Sequence, residues 1–393
     1  MLARRRSQFR TVALAVAILA LHPLLLWMHV LTPGVGILSF GSLCILLSIF
    51  ISSRLRQTQD VSATTAKSSG VRVMELTAPA GGSAISSRVE RRPIVNAFTI
   101  DLEDYFHTEV ATKAVSYSEW DVMPSRIRSS VSRLLDVLDE GNTRSTVFVL
   151  GWVARKYPSL VRQVRERGHE LGCHSDRHRP VFRLNRELFR EDTRAAKIAI
   201  EDACGAGICG YRAPSFSITP GTEWAFEVLE DLGFRYDSSI NPVKHPFYGN
   251  AKSPRTPYYI GESSLLEIPI ATWRIAGLNL PVGGGAYLRL LPYQYVRTGL
   301  ACINRWDTEP FTVYVHPWEI DGYQPLLKLD WKSTVRQTWG VNTMEGRIAN
   351  LLASFTFAPI EQVYGSLISQ KLSDQIGSAQ YQDFAEQLAR VAS

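Results

Sequence analysis

The sequence predicts an α/β fold of parallel strands joined by helical crossovers, arranged as an open sheet or a barrel. Two observations carry this. Between residues 94 and 237, short apolar or β-branched runs alternate with segments whose apolar residues recur at helical spacing. The polar residues able to do chemistry stand where those runs end, which is where parallel α/β folds gather their active groups.

Each element has a local reason. Ile94 to Ile100 is a short apolar run of strand type, and Ile127, Val131, Leu134, Leu135 and Leu138 mark a helix that Gly141 and Asn142 stop. Ser145 to Leu150 reads as a buried strand. Leu160, Val161 and Val164 continue a helix closed by Gly168, and His169 to Cys173 is a further strand. Asn185 is placed to cap a helix running to about Cys204. Gly210 to Arg212 is extended, Thr222 to Leu232 is helical with Gly233 as its stop, and Phe234 to Asp237 is extended again. From roughly Gly365 the chain is polar and helix-prone, so residues 331–393 are expected to form a helical extension.

The chain has 393 residues and a formal charge of +6, which raises the question of a nucleic-acid partner. The position of the charge answers it. Arg4, Arg5, Arg6, Arg10, Arg54 and Arg56 all precede the first acidic residue, Asp60, and account for the whole excess. No basic nucleic-acid-binding domain is indicated.

Those arginines bracket two uncharged apolar runs, Thr11 to Leu31 and Val35 to Ser53, separated by Thr32, Pro33 and Gly34. Each is about as long as a helix needs to cross a bilayer core of roughly 30 Å. The expectation is a membrane anchor over residues 1–56 built as a transmembrane helical hairpin, with spans at about 11–31 and 35–53. A cleaved signal peptide would show one short run and a small-residue cleavage site. Arginine on both outer flanks places both ends, and the rest of the chain, on the cytoplasmic side of a bacterial inner membrane. Residues 57–92, rich in Ser, Thr, Ala and Gly, read as a flexible linker. The five cysteines form no C-x-x-C pair, and reduced thiols fit a cytoplasmic domain at least as well as a Cys204–Cys209 bridge.

Asp101, Glu103 and Asp104 follow the first strand at once. Like charges this close raise one another's pKa, so a cation would relieve them; an acidic cluster at a helix start is the competing explanation. His174 and His178 shift the balance. Four residues apart, they share a face in one helical turn and can converge on one ion. Ser175 between them fits a supporting hydrogen bond or a simple cap. Arg212 ends a buried strand, where an unpaired guanidinium is costly and a carboxylate partner is expected. His316 ends the apolar run Phe311 to Val315 and precedes Pro-Trp-Glu, so it reads as an acid beside Trp318 or as a satisfied core histidine. Gly283, Gly284 and Gly285 make no phosphate loop, since no Gly-Lys-Ser/Thr follows. An iron oxygenase also uses two histidines and one carboxylate, but with the acid next to the first histidine.

With these residues in place, the chain resembles the polysaccharide deacetylases of the NodB homology type, a carbohydrate esterase group. It is more narrowly similar to the subfamily found with exopolysaccharide and exosortase loci. Five motifs occur in order: Thr99 to Asp104, His174 to Pro180, Arg212 to Phe216, Asp237 to Ser239, and Val313 to His316. The likeness covers about residues 94–360, with Pro281 to Tyr293 and His316 to Asp321 resembling that subfamily's C-terminal extension.

The resemblance implies a distorted (β/α) barrel over residues 93–330 and a divalent metal, most simply Zn2+. His174 and His178 match the metal histidines, Asp101 the catalytic base, Arg212 the residue positioning that base, Asp237 the partner tuning the acid, and His316 the acid. Leu102 interrupts the usual pair of adjacent aspartates, so the metal carboxylate is Glu103 or Asp104. Glu103 shares a strand face with Asp101, while Asp104 keeps the usual residue type. His107 competes as a ligand. A backbone N–H just after Arg212 is expected to face the oxyanion, and Tyr105, Phe106, Trp273 and Trp318 are candidates for stacking on sugar rings. The implied activity removes N-acetyl groups from a saccharide in exopolysaccharide or envelope synthesis, alongside an assembly machinery. Two rivals stand beside it: a C–N hydrolase acting on a small amide, and a non-catalytic saccharide-binding or assembly subunit.

Overall fold

The computed structural model describes residues 93–245 and 248–371. The expected membrane hairpin and linker lie outside the described residues. Among the described residues no helix is long and apolar enough to cross a membrane.

Strand β1 (Val95–Leu102) is the centre of the fold, buried along its length beyond Val95. One edge pairs with β10 (Thr312–Val315), and the other is shared between β2 (Thr146–Val149) and β11 (Thr356–Ala358). The sheet continues through β3 (Glu170–Cys173), β4 (Gly210–Tyr211), β5 (Tyr236–Asp237), β7 (Leu266–Glu267) and β6 (Tyr258–Tyr259). Every pairing is parallel except β6 with β7. The sheet curls toward closure: Ala271 N–H donates to Thr312 O at 3.0 Å, and Tyr314 N–H to Gly283 O at 2.8 Å. A separate ribbon joins β8 (Thr272–Ile275) and β9 (Leu278–Pro281).

The helices form where the apolar spacing placed them. In α1 (Ile127–Glu140), Ile127, Val131, Leu134, Leu135 and Leu138 are all buried. The next helical stretch is split into α2 (Gly151–Lys156) and α3 (Pro158–Glu166), because Pro158 disfavours helical dihedrals at Tyr157, which sits at φ −131° and ψ 54°. Helix α4 (Arg186–Cys204) starts on the Asn185 side chain, which accepts Leu188 N–H at 2.8 Å, and ends at Gly205 with φ 70°. Helix α5 (Trp224–Asp231) is slightly shorter than the apolar pattern suggested.

After residue 237 come the short β6 to β9, α6 (Gly285–Leu290) and α7 (Tyr293–Cys302), for which the sequence held no periodic signal. Beyond β10 lie α8 (Trp331–Thr338), α9 (Val341–Ser354), β11 and α10 (360–371). The expected helical extension therefore also holds a strand. It is built into the sheet, with Ile360, Tyr364 and Ile368 packed in one apolar cluster with Ala97, Phe148 and Tyr236. Cys173, Cys204, Cys209 and Cys302 are free thiols.

Candidate active site

Side chains alternate across a strand, so Thr99 and Asp101 leave β1 on one face, and Glu103, the first residue past the strand, is buried beside them. That face is the concave interior of the sheet. Asp101 and Glu103 are both 2% exposed there.

Arg212 follows β4 and is fully buried. Its Nη1 donates to Asp101 Oδ1 and to Thr99 Oγ1, each at 2.7 Å; Nε donates to Ser238 O at 3.0 Å, and Nη2 to Ser238 Oγ at 2.9 Å. The guanidinium carbon lies 4.3 Å from the centre of the Phe148 ring. The carboxylate partner expected for Arg212 is thus Asp101.

His174 continues the line of β3, its N–H donating to Val149 O at 2.9 Å. The chain then turns sharply. Ser175 has φ 66° and His178 φ 51°, and His178 N–H donates to Ser175 Oγ at 3.0 Å. The two histidines therefore do not share a helical turn, contrary to the spacing argument. A loop with two left-handed residues brings them together, a conformation costing of order 1–3 kcal/mol per residue that is common at functional sites.

Glu103 Oε1 lies 3.1 Å from His174 Nε2 and 3.0 Å from His178 Nε2, with all three side chains buried. His174 Nδ1 stands 2.8 Å from the backbone oxygen of Arg212, an acceptor, so Nδ1 carries the proton and a neutral ring leaves Nε2 with a lone pair. Two acceptors then face each other and need a proton or a cation between them. Burial works to raise the Glu103 carboxyl, yet His178, His316 and His174 around it hold it well below the usual carboxylate range. Glu103, His174 and His178 thus fit a divalent metal, with nitrogen and oxygen donors of the kind zinc takes.

Asp104 is placed elsewhere. Its Oδ2 accepts Ser125 Oγ at 2.7 Å, Arg126 N–H at 2.9 Å and Ile127 N–H at 3.2 Å, while Oδ1 accepts Tyr105 N–H. It satisfies the start of α1, the role considered for the acidic cluster as a whole, and burial raises its pKa. His107 is not in the group either. Its Nδ1 accepts Asp104 N–H at 3.0 Å, its ring packs among Phe106, Trp120 and Trp152, and burial pushes it down to about 3, so it stays neutral.

His316 lies across the pocket, its Nε2 3.9 Å from both Asp101 Oδ2 and Glu103 Oε1. Its other face of contact was not foreseen. His316 Nδ1 and the His316 N–H each lie 3.0 Å from Glu319 Oε2, and Glu319 Oε1 lies 3.2 Å from Arg289 Nε. Burial alone would lower the His316 pKa, but Glu103, Glu319 and Asp101 raise it to about 9. Pro-Trp-Glu was visible in the sequence; what was not visible is that a 3-10 turn, Pro317–Ile320, folds Glu319 back onto His316.

Asp237, expected to tune His316, pairs differently. It is in register with Glu267 across β5 and β7, so the two carboxyls lie side by side; burial raises Asp237 to about 6, and burial together with the Asp237 charge raises Glu267. Ser239 Oγ donates to Asp237 Oδ1 at 2.6 Å and accepts Ala213 N–H at 2.8 Å, so the N–H just after Arg212 is already engaged. Tyr105, Phe106, Trp273 and Trp318 are all core, none above 6% exposed. Trp318 stacks on His316 instead, ring centres 5.3 Å apart and planes 28° from parallel.

A buried carboxylate with two imidazoles, a second carboxylate clamped by arginine and a histidine opposite them stand together at the strand ends of an α/β fold, where such folds gather their active groups. Residues 109–236 match the model of the polysaccharide deacetylase family, and residues 238–365 match a domain of unknown function, DUF3473. A bifunctional xylanase/deacetylase of Pseudobutyrivibrio xylanivorans is 30% identical over 91 residues, 23% of this chain and 15% of that protein. A peptidoglycan-N-acetylglucosamine deacetylase of Bacillus cereus is 33% identical over 58 residues, 15% of this chain and 21% of that protein. The chain thus matches about a fifth or less of the length of these two relatives. A solved structure from Mycobacterium smegmatis, assigned by name to the polysaccharide deacetylases, is 21% identical with a TM-score of 0.48 and covers 76% of this chain and 96% of its own.

Proposed function

We propose that this protein is a metal-dependent hydrolase that removes N-acetyl groups from a saccharide. The observation that carries the reading is the pairing of Arg212-held Asp101 with His316 across the Glu103–His174–His178 group. The divalent cation, zinc on the donor set, supplies Lewis-acid activation of water and of the acetyl carbonyl. This chain's own groups do the proton work. Asp101 accepts a proton from water as its oxygen forms a bond to the acetyl carbon. His316 Nε2 gives a proton to the departing nitrogen, which is too basic to leave as an anion. Arg212, sealed among Thr99, Ser238 and Phe148, fixes the direction of the Asp101 carboxylate. The names of the relatives, a peptidoglycan-N-acetylglucosamine deacetylase among them, support a saccharide over a small amide.

We place this activity in exopolysaccharide or envelope synthesis, on a distorted barrel tethered to the inner membrane by the hairpin at 11–31 and 35–53, with the active site cytoplasmic and an assembly machinery as partner. The charge bracketing of the hairpin supports this part.

The test is metal analysis and acetate release by the full chain in detergent, on N-acetylglucosamine oligomers. Zinc together with acetate release is the expected result. Release of ammonia or a small amine from a non-sugar amide, with acetylated sugars untouched, would overturn it.

A further inference from the structure

We infer that the region matching the domain of unknown function builds the leaving-group half of the active site, with Glu319 and Arg289 as positioning residues for His316. The inference rests on the reading above. His316, Glu319 and Arg289 all fall within residues 238–365, whereas Asp101, Glu103, His174, His178 and Arg212 precede it.

The geometry is closed on every side but one. Glu319 Oε2 receives both the backbone N–H and Nδ1 of His316, which fixes the ring's rotation. Trp318 covers one face and the Tyr314 ring meets His316 edge-on at 5.5 Å. The Nε2 is left directed at Asp101 and Glu103. Glu319 is fully buried, so its charge needs a partner, and Arg289, 1% exposed, provides it. Arg289 is itself held by the last carbonyls around α8: Nη2 donates to Arg336 O at 2.8 Å and Nη1 to Trp339 O. The three glycines gain a purpose here. Gly285 opens α6, which carries Arg289, and a Cβ on Gly285 would lie 1.9 Å from Glu319 Oε2, so only glycine lets the carboxylate come this close. An Arg–Glu–His chain in which only His316 is even partly open, its side chain 15% exposed, is an arrangement whose effect reaches the substrate only through the His316 ring.

In the cleavage step the C–N bond breaks as the water oxygen bonds to the acetyl carbon. One proton passes from water to Asp101 and one from His316 Nε2 to nitrogen, giving a free amine and acetic acid, which loses its remaining proton to solvent as acetate. The resting pair returns when the Asp101 proton exchanges through solvent and His316 is reprotonated. Acid assistance matters for an amine and not for a nitrophenolate, which departs as an anion.

The experiment compares full-length wild type, Glu319→Gln, Glu319→Asp and Arg289→Lys on N-acetylglucosamine oligomers and on 4-nitrophenyl acetate, with metal content measured for each. The expected result for Glu319→Gln is a kcat loss of about 100-fold or more on the acetamide, the scale of general-acid catalysis. The same variant is expected to keep KM, metal content and 4-nitrophenyl acetate hydrolysis within about threefold. Glu319→Asp should recover part of the loss, and Arg289→Lys should lower acetamide kcat selectively. Equal losses on both substrates, or no loss on the acetamide, overturn the inference. If Glu319→Gln does not fold, the Arg289→Lys substrate ratio decides alone. A wild type that hydrolyses the aryl ester but no acetylated sugar overturns the deacetylase reading itself, a different outcome from an active wild type indifferent to Glu319.

Discussion

Nη1 of Arg212 lies 2.7 Å from Oδ1 of Asp101, and neither side chain is more than 3% exposed. An ion pair this deep is supported by three further guanidinium hydrogen bonds, to Thr99 and to the carbonyl and hydroxyl of Ser238. The Ser238 hydroxyl is oriented in turn by donating to Ile268 O at 2.8 Å. Lysine offers a point charge and cannot span these acceptors. Arg212→Lys should therefore lower kcat by about 100-fold through misdirection of Asp101, with a lower melting temperature and unchanged metal content. Single-turnover rates and metal analysis check this; full activity with lysine would show that the fork geometry does not direct the base.

Glu103 and Asp104 are adjacent in the chain and should separate cleanly in the laboratory. Glu103→Ala removes the oxygen that both imidazoles face and should abolish metal retention. Asp104→Ala removes an acceptor for the Arg126 and Ile127 N–H groups at the start of α1. It should keep the metal and cost about 1–2 kcal/mol of stability, as loss of a helix cap does. Metal stoichiometry after dialysis and urea unfolding distinguish the two. Metal loss from Asp104→Ala with retention in Glu103→Ala would reverse the assignment.

Much of this site was legible in the sequence because its members sit at strand ends. Asp101, His174, Arg212 and His316 each follow a run that reads as a buried strand, and the two-residue alternation that puts Glu103 with Asp101 also selects it over Asp104. What escaped depends on contacts that spacing does not encode. The neighbour of Asp237 is fixed by register between β5 and β7, strands of two residues each, too short to show any period. Arg289 meets Glu319 across thirty positions, and nothing local announces it. The four-residue spacing marks the histidine pair, but a loop with left-handed Ser175 and His178, not a helical turn, joins them.

Glu170 provides a test at the opposite end of β3 from His174 and His178. Its carboxyl accepts from Thr146 Oγ1, Tyr236 OH and Glu361 N–H, and burial raises it from the ordinary 4.5 to about 7. The folded pKa lies above the unfolded one, so the folded state binds more protons between these values. The contribution to stability is present in full below about pH 4.5 and is lost as pH rises through 7. Glu170→Gln cannot ionise. The melting temperature of wild type minus that of the variant should therefore be largest near pH 5 and smaller by a few degrees near pH 8. A difference that is flat across this range, or that grows with pH, would show that Glu170 is ionised in the fold.

Gly285 is the most demanding position on the acid side of the pocket. An added methyl group would approach Glu319 Oε2 to 1.9 Å and Cδ to 2.8 Å, while Glu319 is fixed by His316 on one oxygen and Arg289 on the other. The carboxylate cannot retreat without turning the His316 ring or abandoning the guanidinium. Gly285→Ala should consequently reduce acetamide kcat on the scale of Glu319→Gln while keeping the metal. Gly346 in α9 is the matched control, since a Cβ there meets nothing within 4 Å. Gly346→Ala should leave kcat unchanged and raise stability by about 0.5–1 kcal/mol, the usual gain for alanine in a helix interior. The two substitutions make the same chemical change, so a drop in kcat confined to position 285 reports the Glu319 contact and not the loss of a glycine. Equal activity in both variants would show that the Glu319 carboxylate has room to move without disturbing His316.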